Sequence, residues 1–127
     1  MGVNWRTALA ALGLVSALAC DGATSIYGTI RDKQGHPVVG ATVTLTAEAG
    51  GAWSVMSGPE GRFQITRVHA PKSTVRSRLT VAADGLRSIT MDVVGTATYE
   101  CEFEFSDRAA ADRPITVSRD SACRRLR

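Results

Sequence analysis

The sequence is poor in the residues that binding to nucleic acids or metal ions usually requires. Aromatic residues make up 6% of the chain, and 15 basic against 12 acidic residues give a net charge of +3. That excess is small, and its arginines are dispersed rather than interleaved with aromatic rings, so we expect no nucleic-acid partner. The two histidines, His36 and His69, do not lie at metal-site intervals from the cysteines. We therefore expect no zinc site and no cofactor.

The chain also lacks an apolar run of the about 20 residues that a helix needs to cross a bilayer. Its uncharged apolar run, residues 8–18, follows Arg6 and ends within Ala-Leu-Ala at 17–19. The run is apolar on all sides, which argues against an amphipathic helix packed on the domain. A basic start, a short apolar stretch and a small-residue cleavage site are the three parts of a secretory signal. We expect residues 1–19 to be a cleaved signal peptide.

Cys20 directly follows the predicted cleavage site. The arrangement resembles the bacterial lipobox, whose cysteine receives a diacylglyceryl group before cleavage, and two or more acyl chains make anchoring stable. We predict a lipidated Cys20 and a linker at 20–24. The expected location is the bacterial cell envelope, on the periplasmic side or the cell surface. Ordinary signal peptidase, which accepts Ala-x-Ala, would instead release a soluble chain after Ala19.

The chain has three cysteines, an odd number that calls for an explanation in an exported protein. A lipid on Cys20 leaves Cys101 and Cys123, which should form a disulfide in an oxidising compartment. Closing that loop would stabilise the fold by about 3 kcal/mol. The alternative is two unpaired thiols.

Short segments in which apolar and polar residues alternate fill the rest of the sequence, and Gly, Pro and Asp mark the turns between them. In the clearest, residues 41–47, Ala41, Val43, Leu45 and Ala47 share one face. Residues 98–105 alternate again, and there Tyr99, Cys101, Phe103 and Phe105 share one face. Beyond one possible helical turn at 107–111, no amphipathic helix is visible. We predict an all-β fold, an antiparallel two-sheet β-sandwich of about seven strands. The predicted strands are 24–31, 41–47, 52–57, 62–66, 77–83, 87–94, 98–105 and 115–118.

Four stretches resemble, in this order, the carboxypeptidase regulatory-like domain, a transthyretin-like or prealbumin-like β-sandwich. They are YGTIRD at 27–32, GHPVVGATVTL at 35–45, GPEGRFQI at 58–65 and LTVAADGL at 79–86. The resemblance implies a non-catalytic module that supports, tethers or binds. We place this domain at 25–106 and a C-terminal extension with the disulfide at 107–127.

The candidate partner-binding residues are one acidic stripe and one tryptophan. Glu100, Glu102 and Glu104 share the polar face of their strand, with neighbouring carboxylates about 6.5–7 Å apart. They could bind Ca²⁺ or a basic partner. We favour a solvated face paired with arginines of a neighbouring strand; the candidates are Arg76, Arg78 and Arg87. Trp53, beside two glycines, is either an exposed ring that stacks on a sugar or protein, or a cap on the core.

We predict a lipid-anchored, non-catalytic envelope module for binding or scaffolding, with an envelope protein or glycan as its partner. The alternatives are a secreted soluble structural domain and a small hydrolase of the transthyretin-like type. That hydrolase family, which acts on 5-hydroxyisourate, uses His and Arg in a cleft and ends in Tyr-Arg-Gly-Ser. This chain instead ends in RRLR at 124–127, which we interpret as a frayed, solvated tail. No Ser or Cys nucleophile motif is present, so we expect no enzyme.

Overall fold

The computed structural model describes residues 22–68, 76–106 and 113–126. The predicted signal peptide, Cys20, His69 and the possible helical turn at 107–111 lie outside these ranges. In the described residues no helix is long and apolar enough to cross a bilayer. The elements there are β1 (Ala23–Arg31), β2 (Thr42–Ala47), β3 (Ala52–Met56), β4 (Arg62–Val68), β5 (Arg76–Ala82), β6 (Ile89–Val94), β7 (Thr98–Glu104), β8 (Ile115–Val117), α1 (Arg119–Ala122) and β9 (Cys123–Arg125).

The described strands form two sheets, which confirms the predicted all-β sandwich. Sheet A has the order β4-β1-β7-β9, and sheet B has the order β3-β2-β5-β6-β8. Most neighbours are antiparallel, but β1 lies parallel to β7 and β6 parallel to β8, so both sheets are mixed. Parallel neighbours need a long connection. Between β1 and β7 the chain forms β2 to β6, of which all but β4 lie in sheet B. The periodicity of the strands does not reveal this order.

The core lies between the two sheets and follows the predicted alternation. On β7 and just after it, the four apolar side chains of the 98–105 segment are all buried. Gly28 faces the same interior from β1, and the ring of Phe63 lies over it; a Cβ at Gly28 would be 2.3 Å from Phe63 Cε1. Glycine at this position therefore leaves the space that the Phe63 ring occupies.

The C-terminal segment 113–126 contributes to both sheets. β8 adds an edge strand to sheet B, and β9 adds one to sheet A. The interpretation of Arg124 and Arg125 as part of a frayed tail is wrong, because they lie in β9 opposite Glu100 and Tyr99. The reason is the disulfide just before them, which holds β9 in register against β7. Arg127, the last residue of the predicted tail, lies outside the described residues.

Candidate binding groove on sheet A

The outer face of sheet A forms the floor of an open groove of 1350 Å³. Residues of β4, β1 and β7 make this floor, and residues 121–126, from α1 to just past β9, line one side of the groove, which we call its wall. Tyr27 stands on β1, one of the two central strands, and is 39% exposed. Its neighbours Ile26 and Gly28 face the core, so strand alternation directs Tyr27 outward.

Each strand of sheet A contributes one polar side chain to a single row across the groove. Backbone register places Gln64 opposite Tyr27, Tyr27 opposite Glu100, and Glu100 opposite Arg124. Gln64 Nε2 donates a hydrogen bond of 3.4 Å to Tyr27 Oη, and Arg124 Nε donates one of 2.8 Å to Glu100 Oε1. We call these four residues the polar row. It presents an amide, a phenol, a carboxylate and a guanidinium side by side.

The described charges that line the groove balance. Arg62 and Arg124 stand against Glu100 and Glu102. Arg62 Nε also lies 3.6 Å from a carboxylate oxygen of Glu60, at the turn before β4. The groove is therefore polar but does not present a field of one sign to an approaching ligand.

The acidic stripe Glu100, Glu102 and Glu104 lies on the outer face of β7 and is exposed, as predicted. Its predicted arginine partners are wrong. Arg76 and Arg78 lie on β5 of sheet B, where Arg78 Nε pairs with Asp92 at 3.0 Å.

The third predicted partner, Arg87, donates instead to the backbone carbonyl of Arg113. The strands beside β7 are β1 and β9, and Arg124 of β9 pairs with Glu100 of the stripe. Across the described ranges, no group of three or more His, Cys, Asp or Glu side chains is arranged to hold a metal ion.

Trp53 lies on the edge strand β3 and is not among the described residues that line the groove. Because Trp53 is opposite the buried Leu45 on β2, its side chain leaves β3 on the face of the sheet that is turned toward the core. The guanidinium of Arg67 stacks on this ring at 5.0 Å from its centroid, and its Nη1 donates to Ser77 Oγ at 3.3 Å. Trp53 remains 40% exposed.

The predicted disulfide is present and anchors the groove wall. Cys101 is 1% exposed on β7 and is bonded to Cys123, the first residue of β9. Cys123 Sγ also lies 3.5 Å from Met91 Sδ of sheet B. Cys123 is thus covalently bonded to sheet A and in contact with sheet B.

His36 lies in the turn after β1 rather than in the groove. Its side chain is 76% exposed, with Nδ1 3.7 Å from Asp32 Oδ2. Asp32 Oδ1 accepts hydrogen bonds from the backbone amides of Gln34 and His36, each at 2.9 Å. These contacts shape the turn, as Asp commonly does.

Comparison with known proteins agrees with this architecture. The model of the carboxypeptidase regulatory-like domain family matches residues 25–106. No curated protein sequence matches the chain.

Solved structures with the same fold include enzymes of two kinds. Catechol 1,2-dioxygenase from Pseudomonas arvilla C-1 is 12% identical with a TM-score of 0.52, over 76% of this chain and 58% of that one. The Acinetobacter radioresistens catechol 1,2-dioxygenase has the same identity and coverage with a TM-score of 0.53. The 5-hydroxyisourate hydrolase of Klebsiella pneumoniae is 23% identical with a TM-score of 0.51, over 65% of this chain and 90% of that one. The chain spans less than two thirds of the dioxygenases, and at these identities the likeness shows a shared, transthyretin-like fold alone.

Proposed function

The chain belongs to the carboxypeptidase regulatory-like domain family, and from that premise we propose that it is a non-catalytic binding or scaffolding module. In this proposal a lipid on Cys20 holds the module at the bacterial cell envelope. The groove on sheet A is the surface offered to a partner.

The pairing of the cysteines carries the proposal of a tether. Cys101 and Cys123 are bonded to each other, so Cys20 is the one cysteine of the three that this bridge leaves over. It follows the small residues at 17–19, in the place where a lipobox has its cysteine. Acylation there would leave only residues 21 and 22 between the lipid and the first strand, β1.

The proposal that the module is not an enzyme is supported by the composition of the groove. No histidine is among its described lining residues. A transthyretin-like hydrolase would need histidine and arginine together in a cleft, and His36 lies instead in an exposed turn. The polar row has groups that suit binding through hydrogen bonds.

Metabolic labelling with radioactive palmitate, with and without globomycin, tests the tether in a bacterial host. We expect label on the wild-type chain, a larger precursor under globomycin, and loss of label in Cys20→Ser. A matched control is Cys123→Ser, which removes a different cysteine and should keep the label.

An unlabelled mature chain that begins at Cys20 and fractionates without membrane would contradict the tether. That result would favour the secreted soluble structural domain. Turnover of 5-hydroxyisourate by the purified chain, abolished in His36→Ala, would contradict the non-catalytic part and favour the hydrolase.

A further inference from the structure

We propose that the groove on sheet A binds a neutral polysaccharide chain, with the polar row as the line of contact. This inference rests on the proposed function, because it names the partner of a module that is proposed to bind. Three features of the groove point to this ligand: an exposed aromatic ring, a row of mixed polar groups and balanced charge among the described lining residues.

The exposed ring is that of Tyr27. It projects from a central strand of sheet A, with floor side chains on β4 on one side and on β7 on the other. An aromatic ring with a polar tip suits a ligand that is apolar on one face and polar at its edges. A sugar ring has this character, because its C–H bonds line its faces and its hydroxyls project at its rim.

The polar row supplies both donors and acceptors beside that ring. The Gln64 amide both donates and accepts, the Glu100 carboxylate accepts, and the Arg124 guanidinium donates. A sugar hydroxyl also donates and accepts, so adjacent hydroxyls can bond to neighbouring members of the row. Hydrogen bonds to the charged members are the stronger ones. Gln64 contacts Tyr27, and Arg124 contacts Glu100, so the members of the row already face one another in pairs before a ligand arrives.

The charge and size of the groove favour a neutral chain over a charged peptide or a small molecule. Its two arginines and two glutamates balance, so neither a polybasic nor a polyacidic ligand finds a complementary field. Its 1350 Å³ exceeds the about 300–1,000 Å³ of a typical small-molecule pocket. An extended ligand uses such an open surface better than a compact one does.

Isothermal titration calorimetry on the full chain tests the inference. The chain is expressed with its amino-terminal segment and purified, as the cell processes it, in a detergent without a sugar headgroup. The probes are the hexasaccharides of α-1,4-glucose, β-1,4-glucose and β-1,4-N-acetylglucosamine, together with hexalysine and hexaglutamate. We expect at least one hexasaccharide to bind with a Kd below 10 mM, and both charged peptides to bind at least tenfold more weakly.

Variants assign that binding to the groove. Tyr27→Ala should weaken the hexasaccharide at least tenfold, whereas Tyr27→Phe keeps the ring and should weaken it less than threefold. Gln64→Ala, on the edge strand β4, gives a second measurement if Tyr27→Ala does not fold, and should weaken binding at least threefold. Arg124→Ala, which removes a member of the polar row, should weaken binding. Its matched control is Arg78→Ala, which removes an exposed arginine of sheet B and should leave binding unchanged.

Three results would overturn the inference: no hexasaccharide bound at 10 mM, hexalysine or hexaglutamate bound more tightly than every sugar, or an affinity that Tyr27→Ala and Gln64→Ala leave unchanged. Each of these three binding results is measured independently of palmitate labelling at Cys20. A failure of the glycan inference can thus be distinguished from a failure of the proposed tether.

Discussion

The outer faces of the two sheets differ in what they offer to solvent. In sheet B one row crosses all five strands, and every member is a small hydroxyl residue: Ser54, Thr44, Thr80, Thr90 and Thr116. Some of these hydroxyls bond to one another, Thr44 to Ser54 at 2.9 Å and Thr90 to Thr116 at 3.4 Å. In sheet A the corresponding row has long side chains and lines the groove. Short side chains that bond to their neighbours leave little to reach a ligand, whereas the polar row projects donors and acceptors into a groove.

The sheets also differ in how an edge strand is fastened. Sheet A holds β9, a strand of three residues, by a covalent bond at its first residue. Sheet B holds the end of β3 through the Ser57 hydroxyl, which accepts from Ala41 N at 2.9 Å and donates to the Val38 carbonyl at 2.7 Å. Mutations that remove one fastening or one row therefore separate the contributions of the two sheets.

Removal of the disulfide should have the largest effect. The double variant Cys101→Ala/Cys123→Ala loses the covalent constraint on the unfolded chain, and we expect the free energy of unfolding to fall by about 3 kcal/mol. Denaturant unfolding followed by tryptophan fluorescence measures it. Reductant should destabilise the wild type by a similar amount and leave the double variant unchanged. An equal loss in Thr116→Ala, on the edge strand of sheet B, would contradict the special role of the bridge.

Filling Gly28 should have the next largest effect, again confined to sheet A. An added Cβ would lie 2.3 Å from the Phe63 ring and 3.2 Å from the Cys101 carbonyl oxygen, so the ring must leave its place in the core. We expect Gly28→Ala to cost about 2 kcal/mol, as overpacking usually does. Thr80→Ala, on the outer face of sheet B, should change stability by about 0.5 kcal/mol or less.

A second substitution sharpens the test at Gly28. If the clash with Phe63 causes the loss, Phe63→Leu should cost less stability in the Gly28→Ala background than in the wild type. Additive losses in a double-mutant cycle would show that the two positions act independently.

The fold was more predictable from the sequence than the groove, and the reason is the range of the interactions. Alternation in residues 98–105 is a local property, and it correctly placed Cys101 inside and Glu100 outside. Which strand lies beside β7 depends on pairings between distant segments. For that reason the predicted partners of Glu100 were arginines of sheet B, although the partner is Arg124 of β9. Tyr27 carried the same outward signal as Thr29 and Arg31 on its strand, but only the pairing of four strands makes it part of a polar row.

Loss of the Ser57 hydroxyl should have an intermediate effect and should act on sheet B. Ser57 is 4% exposed, so Ser57→Ala leaves the backbone N–H of Ala41 and the carbonyl of Val38 without their shared partner. We expect a loss of about 1–2 kcal/mol in thermal or denaturant unfolding, the usual cost of an unsatisfied buried polar group. Ser54→Ala removes an exposed hydroxyl bonded to Thr44 and is the control. A similar loss in both variants would show that burial of Ser57 is not the cause.

The two exposed ion pairs should have the smallest effects, and they compare the outer faces most directly. Arg124 pairs with Glu100 on sheet A, and Arg78 pairs with Asp92 on sheet B. Exposed pairs contribute about 0.2–1 kcal/mol, because water screens them and two long side chains lose freedom. Both Nε and Nη2 of Arg124 contact Glu100 Oε1, whereas Arg78 contacts Asp92 through Nε, so the Glu100 pair should be the stronger of the two.

Double-mutant cycles on the two pairs measure this difference. We expect Arg124→Ala/Glu100→Ala to give a larger coupling energy than Arg78→Ala/Asp92→Ala, and 1 M salt to reduce both. Arg124 also lies in the short strand that the disulfide holds, so its coupling to Glu100 should fall in Cys101→Ala/Cys123→Ala. The coupling of Arg78 to Asp92, on two central strands of sheet B, should not change in that background. Equal sensitivity of the two pairs to loss of the bridge would mean that the disulfide stabilises the whole sandwich evenly, rather than ordering the polar row of sheet A.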